Sequence, residues 1–314
     1  MDFGVFLPVS GRAASRGGLT HAARKAEELG FTAVWAADRI VIPWRIETTY
    51  NYNWSGQFFV PPEAAFLEPL TVLAFLAGAT ERIRLGVSVL VGPYRDPVYW
   101  SKVVASIDQL SEGRFVLGFG VGWMPEEFAA LGRAEHFAPR GRVADEQLAI
   151  FRTLTRDEHA SHDGEFFAFD DVAFQPKGFR GPGSIPVWVG GEARPSQRRA
   201  GRAGDAWFPY FPRVTPDELA RRYAYVLETA EAAGRDPHDV ALHCCLSVEV
   251  TPEPVEQEPD LLRGSPEQVV ERLAAFAEVG VQHCALQFLV GRYPERVEQM
   301  ERFAAQARAD GLLG

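Results

Sequence analysis

The chain has 314 residues, 46% of them hydrophobic and 24% charged, with a formal net charge of −10. That balance fits one large α/β domain over residues 1–314 and argues against nucleic acid or an anionic membrane as the main partner. Three cysteines, of which Cys244 and Cys245 are adjacent, disfavour a disulfide framework, and no apolar run reaches the roughly 18 residues that cross a bilayer.

Apolar runs alternate with helical patterns from end to end. Asp2–Leu7 reads as a strand and Leu19–Leu29 as a helix closed by Gly30; Ala33–Ala36 is a second strand. A polar and aromatic loop runs from Trp44 to about Pro62. Leu70–Ala79 is a helix, Arg84–Leu90 a third strand, Val98–Leu110 a helix and Phe115–Phe119 a fourth strand. Helical periodicity returns over Arg140–Leu154, and residues 165–176 suit a short β excursion. Strands follow at Ile185–Val189 and Ala206–Pro209, each with a helix behind it. Val240–Val250 is the seventh strand and Cys284–Leu289 the eighth, with helices over Pro266–Glu278 and Pro294–Ala309. Thr251–Glu258 reads as a loop above strand seven. Eight strand–helix units over this length predict an α/β (β/α)8 TIM barrel with insertion loops at its C-terminal face; a doubly wound open sheet is the alternative. Barrel sites form where strands give way to loops.

Gly118, Gly120 and Gly122 alternate at the end of strand four in GFGVGW, where a dinucleotide fingerprint would need glycine in place of Trp123. Either a flat group approaches this backbone or a neighbouring strand packs tightly on it. Gly190-Gly191 follows an apolar strand and precedes a helix near Pro195-Ser196, with Arg194 alongside. That is a phosphate seat or a plain strand-to-helix turn. Arg194, Arg198, Arg199 and Arg202 form either an anion site or a solvated helix face. Asp38-Arg39 closes strand two and either holds polar ring edges or pairs internally; an arginine there would act electrostatically, not as an acid. The seven histidines lack HxH or HExxH spacing, so no metal site is expected and His243-Cys244-Cys245 reads as core. Trp44, Tyr50, Tyr52, Trp54, Phe58 and Phe59 crowd one loop, as a lid, a dimer contact or a satellite core.

Residues 80–123 (TERIRLGVSVLVGPYRDPVYWSKVVASIDQLSEGRFVLGFGVGW) resemble the signature region of the luciferase-like monooxygenase superfamily, and most of all its F420-dependent oxidoreductases. VWAADR at 34–39, EEFAALG at 126–132, RGRVADEQLAIFRTL at 140–154, FQPKG at 174–178, IPVWVGG at 185–191, RRAGRAGDAWFP at 198–209 and GSPEQVVERL at 264–273 extend the likeness in order. The resemblance implies coenzyme F420, or alternatively FMN, standing in the barrel mouth against a non-prolyl cis peptide, which GVSVL places at Ser88-Val89. It implies that Asp38 contacts the pyrimidine side of the ring and that Gly120, Val121 and Gly122 line it. Gly190, Gly191, Arg194 and Ser196 would meet the phosphate. Arg39 stands where many relatives have His, and Trp123 where sugar-phosphate dehydrogenases of this branch carry Glu. Sugar-phosphate oxidation is therefore not expected, and Trp123 suggests an apolar substrate. The expected reaction is hydride transfer between the deazaflavin C5 and a small organic molecule, as a C=C or C=N reductase. Arg39 would stabilise developing charge, and Tyr50 or Tyr52 would donate the proton. The alternatives are an FMNH2-dependent monooxygenase using O2 and a catalytically silent flavin-binding barrel; a metal-dependent hydrolase ranks third. A cytoplasmic homodimer acting on a small molecule is expected, since the N-terminus reads as no signal peptide.

Overall fold

The computed structural model describes residues 1–52, 55–211 and 213–313. Eight parallel strands close into a barrel: β1 (Asp2–Phe6), β2 (Ala33–Ala36), β3 (Arg84–Val91), β4 (Phe115–Gly120), β5 (Val187–Val189), β6 (Ala206–Trp207), β7 (Ala241–Val250) and β8 (Val281–Phe288). Each pairs with the next, and β8 pairs with β1, which closes the ring. After a break at Phe208-Pro209, Tyr210–Phe211 continues the pairing of β6 with β7 opposite Cys245 and Leu246. Strand five is shorter than the apolar run Ile185–Val189, because Pro186 has no amide to donate; its carbonyl still accepts from Leu117 N. Strand eight starts three residues before the expected Cys284, where Val281 meets Leu242.

The helices around the barrel are α1 (Arg16–Glu28), α2 (Pro69–Ala77), α3 (Pro97–Leu110), α4 (Pro125–Ala130), α5 (Ala134–Phe137), α6 (Arg140–Arg156), α7 (Arg194–Ala203), α8 (Pro216–Ala232), α9 (Pro266–Glu278) and α10 (Tyr293–Ala309). Four of them start alike. Glu68, Asp96, Thr215 and Ser265 each accept an amide of the first turn of α2, α3, α8 and α9, and a proline follows at the first helical position. The start of α7 has proline but no such cap, since Ala193 precedes it. The short helices α4 and α5 and a strand at Leu262–Gly264 beside β7 escaped the periodicity reading, being too brief to show a period. The expected β excursion is a hairpin of Ala160–Asp163 and Ala168–Val172, so it begins earlier than residue 165.

The main core lies between barrel and helices, and a smaller one fills the barrel itself. Inside, the Trp35 ring packs on Trp188 and Phe208 at centroid distances of 5.0 and 4.6 Å. Glycine on both flanking strands makes room for it: a Cβ on Gly4 would lie 2.5 Å from Trp35 Nε1, and one on Gly86 would overlap the indole. His243 and His283, distant in sequence, are register partners on β7 and β8, with ring centroids 5.9 Å apart. His283 Nε2 accepts from Trp35 Nε1 at 3.1 Å. Both are core residues, and burial pushes His243 down to about 3 and His283 well below the usual histidine range.

Candidate active site

The mouth of the barrel is shaped by an interruption in β3. The Ser88–Val89 peptide is cis, where the resemblance places one, and the β3–β4 register skips from Val87↔Leu117 to Leu90↔Phe119. The Val89 side chain then lies where two neighbouring glycines, Gly120 and Gly190, have no side chain, and Gly118 leaves room for the Val87 backbone. A Cβ on Gly120 would overlap Val89 Cγ2, one on Gly190 would stand 2.7 Å from Val89 Cγ1, and one on Gly118 would strike the Val87 carbonyl. Gly122 has φ +79°, and its Cβ would meet Val91 Cγ1 at 2.8 Å. The alternating glycines are therefore required by strand packing. Val121 is half-buried against the core.

Asp38 is engaged by its neighbours within the fold. Its side chain is fully buried; Oδ2 accepts from Val91 N at 2.8 Å and from Arg95 Nη1 at 2.7 Å, and Oδ1 from Arg95 Nη2 at 2.8 Å. Burial acts to lower the Arg95 pKa, but the charges of Asp38 and Glu68 outweigh it and raise the value. Asp38 thus ties the end of β2 to the end of β3 and presents no free carboxylate to a ring edge. It also does not pair with Arg39.

Arg39 pairs with Glu127 on α4, which is wholly buried and also accepts from Tyr94 Oη (2.8 Å), Ile40 N (2.8 Å) and Val41 N (3.2 Å). The guanidinium lies against the Phe58 and Trp123 rings, 4.7 and 5.4 Å from their centroids, and its Nε is buried without a partner. Glu126, next in sequence, accepts from Glu47 N, Thr48 N and Thr48 Oγ1 at 2.9–3.1 Å. Burial acts to raise the Glu126 pKa, but these donors bring it below the usual range. Two consecutive carboxylates on α4 therefore hold the start of the aromatic loop and the residues before it. Only the EEFAALG resemblance had touched them.

The loop folds over the mouth as a lid. Tyr50 packs on Trp123 at 4.8 Å, on Tyr52 at 5.4 Å and on Phe58 at 5.4 Å, and Tyr52 meets Tyr210 edge-on at 5.4 Å. Trp44 and Phe59 remain exposed, and Trp54 lies outside the described residues. Under the lid is a carboxylate that no motif had singled out. Glu192 follows Gly190-Gly191 and accepts from Tyr52 Oη at 2.8 Å on Oε2 and from Tyr210 N at 3.2 Å on Oε1. Burial raises its pKa in spite of these bonds. Burial likewise raises Tyr50 and Tyr52 and pushes Tyr210 up to about 12. Tyr210 Oη bonds Ser247 Oγ at 2.8 Å, and Ser88 Oγ meets Cys245 Sγ at 3.5 Å. A carboxylate directly after a glycine pair at a barrel strand end was a signal available in the sequence.

The basic run divides. Arg194 stacks on Tyr225 of α8 at 3.9 Å, Arg199 pairs with Asp145 of α6, and Arg198 and Arg202 are exposed. What faces Gly190-Gly191 is the uncapped start of α7 and Ser196, whose Oγ lies 2.5 Å from where a Gly191 Cβ would be. Among the described residues, no three His, Cys, Asp or Glu side chains are placed to hold a metal ion, and no helix is long and apolar enough to cross a membrane.

The family model described as luciferase-like monooxygenase matches residues 1–258. The chain belongs to that family, and its chemistry is that of an oxidoreductase. A phthiodiolone/phenolphthiodiolone dimycocerosates ketoreductase of Mycobacterium bovis is 32% identical over 217 residues, covering 68% of this chain and 55% of that longer protein. Among solved structures, an F420-dependent secondary alcohol dehydrogenase in complex with an F420-acetone adduct superposes with TM-score 0.78 at 18% identity, covering 98% of each chain. The monooxygenase RslO1 from Streptomyces bottropensis superposes with TM-score 0.75 at 20% identity, covering 99% of this chain and 100% of that one. At such identities these structures establish the shared barrel fold.

Proposed function

We propose that the protein transfers hydride between coenzyme F420 and a small apolar substrate, reducing a polarised C=C or C=N bond. The observation that carries this is Val89, seated between Gly120 and Gly190 at the cis peptide, in a barrel whose aromatic loop packs on Trp123 after β4; the combination suits a planar ring better than a flexible chain. Arg39, pinned by Glu127 with an unpartnered Nε, supplies a fixed positive charge beside Phe58 and Trp123. Gly191, Ser196 and the uncapped start of α7 would take the phosphate end. A bound deazaflavin would supply a carbon-borne hydride. The chain's own part is to orient the partners, exclude water and manage the proton. The ketoreductase among the relatives adds C=O to the bonds worth assaying.

Absorbance and fluorescence titration with F420 and with FMN tests the reading, comparing wild type with Gly122→Val and Ser88→Pro. Binding of F420 that both substitutions abolish is the expected result; equal binding by the variants refutes the placement. Oxygen consumption with reduced FMN would favour a flavin monooxygenase, the reading that the likeness to RslO1 supports. Tight binding without oxidation of reduced F420 across enones, imines and ketones would favour a silent barrel. A homodimer is proposed as well, supported by the exposed Tyr99 and Leu110 of α3 (69% and 66%). Sedimentation velocity decides that.

A further inference from the structure

We infer that Glu192 and Tyr52 form a proton relay into the barrel mouth, with Tyr52 Oη giving the proton to the substrate and Glu192 Oε2 resupplying Tyr52. This rests on the proposed reduction and names a different donor from Tyr50. The hydrogen bonding assigns the two oxygens of Glu192. Oε1 accepts from the Tyr210 backbone amide, which can only donate, so a proton on this carboxyl belongs on Oε2. Oε2 is the atom 2.8 Å from Tyr52 Oη. With Glu192 ionised, Tyr52 donates to it and its proton is turned away from the mouth. With Glu192 protonated, the bond reverses and the Tyr52 hydroxyl is free to point at a substrate.

The surroundings shift Glu192 toward the protonated form. The groups packed around the carboxyl are Tyr52 and Tyr50 from the lid, Tyr210 after β6, Cys245 from β7 and Arg222 from α8. Arg222 is the single cation among them; it is bound to Glu218 and reaches the Glu192 backbone carbonyl at 3.4 Å. Burial outweighs the donors and raises the carboxyl pKa, the direction that a proton source needs. Tyr52 alone would be a poor donor, because burial and the neighbouring Glu192 raise its own pKa. Tyr50 packs among Trp123, Tyr52 and Phe58, and the carboxyl is hydrogen-bonded to Tyr52.

The step balances. The electrophilic substrate carbon gains a hydride from the reduced deazaflavin, and the π pair of the double bond moves to its other atom. That atom takes the Tyr52 proton, Tyr52 oxygen takes the proton of Glu192 Oε2, and the remaining carboxylate is reprotonated from water. One hydride and one proton are added, and the deazaflavin is oxidised by two electrons.

Infrared difference spectroscopy of the protein without cofactor, from pH 4 to 9, tests the pair independently of turnover. A protonated-carboxyl band should persist above the ordinary glutamic acid value of 4.5, vanish in Glu192→Gln and shift in Tyr52→Phe. Its absence from the wild type overturns the inference. In turnover, the wild-type rate should fall as pH rises through the Glu192 pKa. Glu192→Gln keeps a hydrogen-bonding group but has no ionisable proton to pass on, so it should lose about 10²-fold in kcat with KM unchanged and lose that pH limb. Unchanged kcat in Glu192→Gln also overturns the inference, whereas failure of both F420 and FMN to bind refutes the cofactor reading and leaves the infrared result to decide the pair.

Discussion

Replacing Glu127 with alanine removes the acceptor for four donors that the fold has taken from water: the Arg39 guanidinium, the Tyr94 hydroxyl and the amides of Ile40 and Val41. Arg39 is 7% exposed and Glu127 not at all, so a buried charge is stranded with little access to solvent. Removing one partner of a buried ion pair costs about 3–5 kcal/mol. With a urea slope of about 3 kcal/mol/M, the midpoint should fall by roughly 1–2 M. A double-mutant cycle with Arg39→Met isolates the pair. Once the guanidinium is gone, losing Glu127 should cost about 2–3 kcal/mol less, the remainder reflecting Tyr94 and the two amides. A coupling below about 0.5 kcal/mol would mean that water or another group already serves Arg39, and the argument would fail.

Gly120→Ala places a methyl group on Val89 Cγ2, so it should destabilise by about 1–3 kcal/mol in urea unfolding, and adding Val89→Ala should restore part of the loss; an unchanged midpoint in the single variant refutes the packing account. His243 and His283 are held neutral by burial, with folded pKa values below the unfolded 6.5. Their contribution is complete above that pH and is lost as pH falls below 6.5, for His243 down to about 3, because only the unfolded chain takes up the protons. Stability should drop by about 1.4 kcal/mol per pH unit for each, and His243→Leu should flatten the slope measured between pH 6.5 and 5.

The order of strands and helices was written in the chain because it is set by local periodicity and by punctuation of short range. Ala33–Ala36 and Pro266–Glu278 came out to the residue, the latter framed by a Ser265–Gln268 capping box and Pro266. The glycines of GFGVGW and the aromatic loop were also visible as features, while the interruption at GVSVL came only through the family resemblance. Which atoms they meet was not, since the pairings join residues far apart in the chain: Asp38 to Arg95, Arg39 to Glu127, Tyr52 to Glu192. Pairing within Asp38-Arg39 was one reading of that dipeptide, and the folded chain gives each residue a different partner. Closure of the barrel brings the ends of β2, β3, β4 and β5 to one rim, and it removes water there, which turns Glu192 from one acidic residue among many into a carboxyl with a raised pKa. Sequence determines which chemical groups exist and which local elements carry them; burial and long-range pairing, which exist only once the barrel is closed, decide which of those groups are spent on structure and which face the mouth.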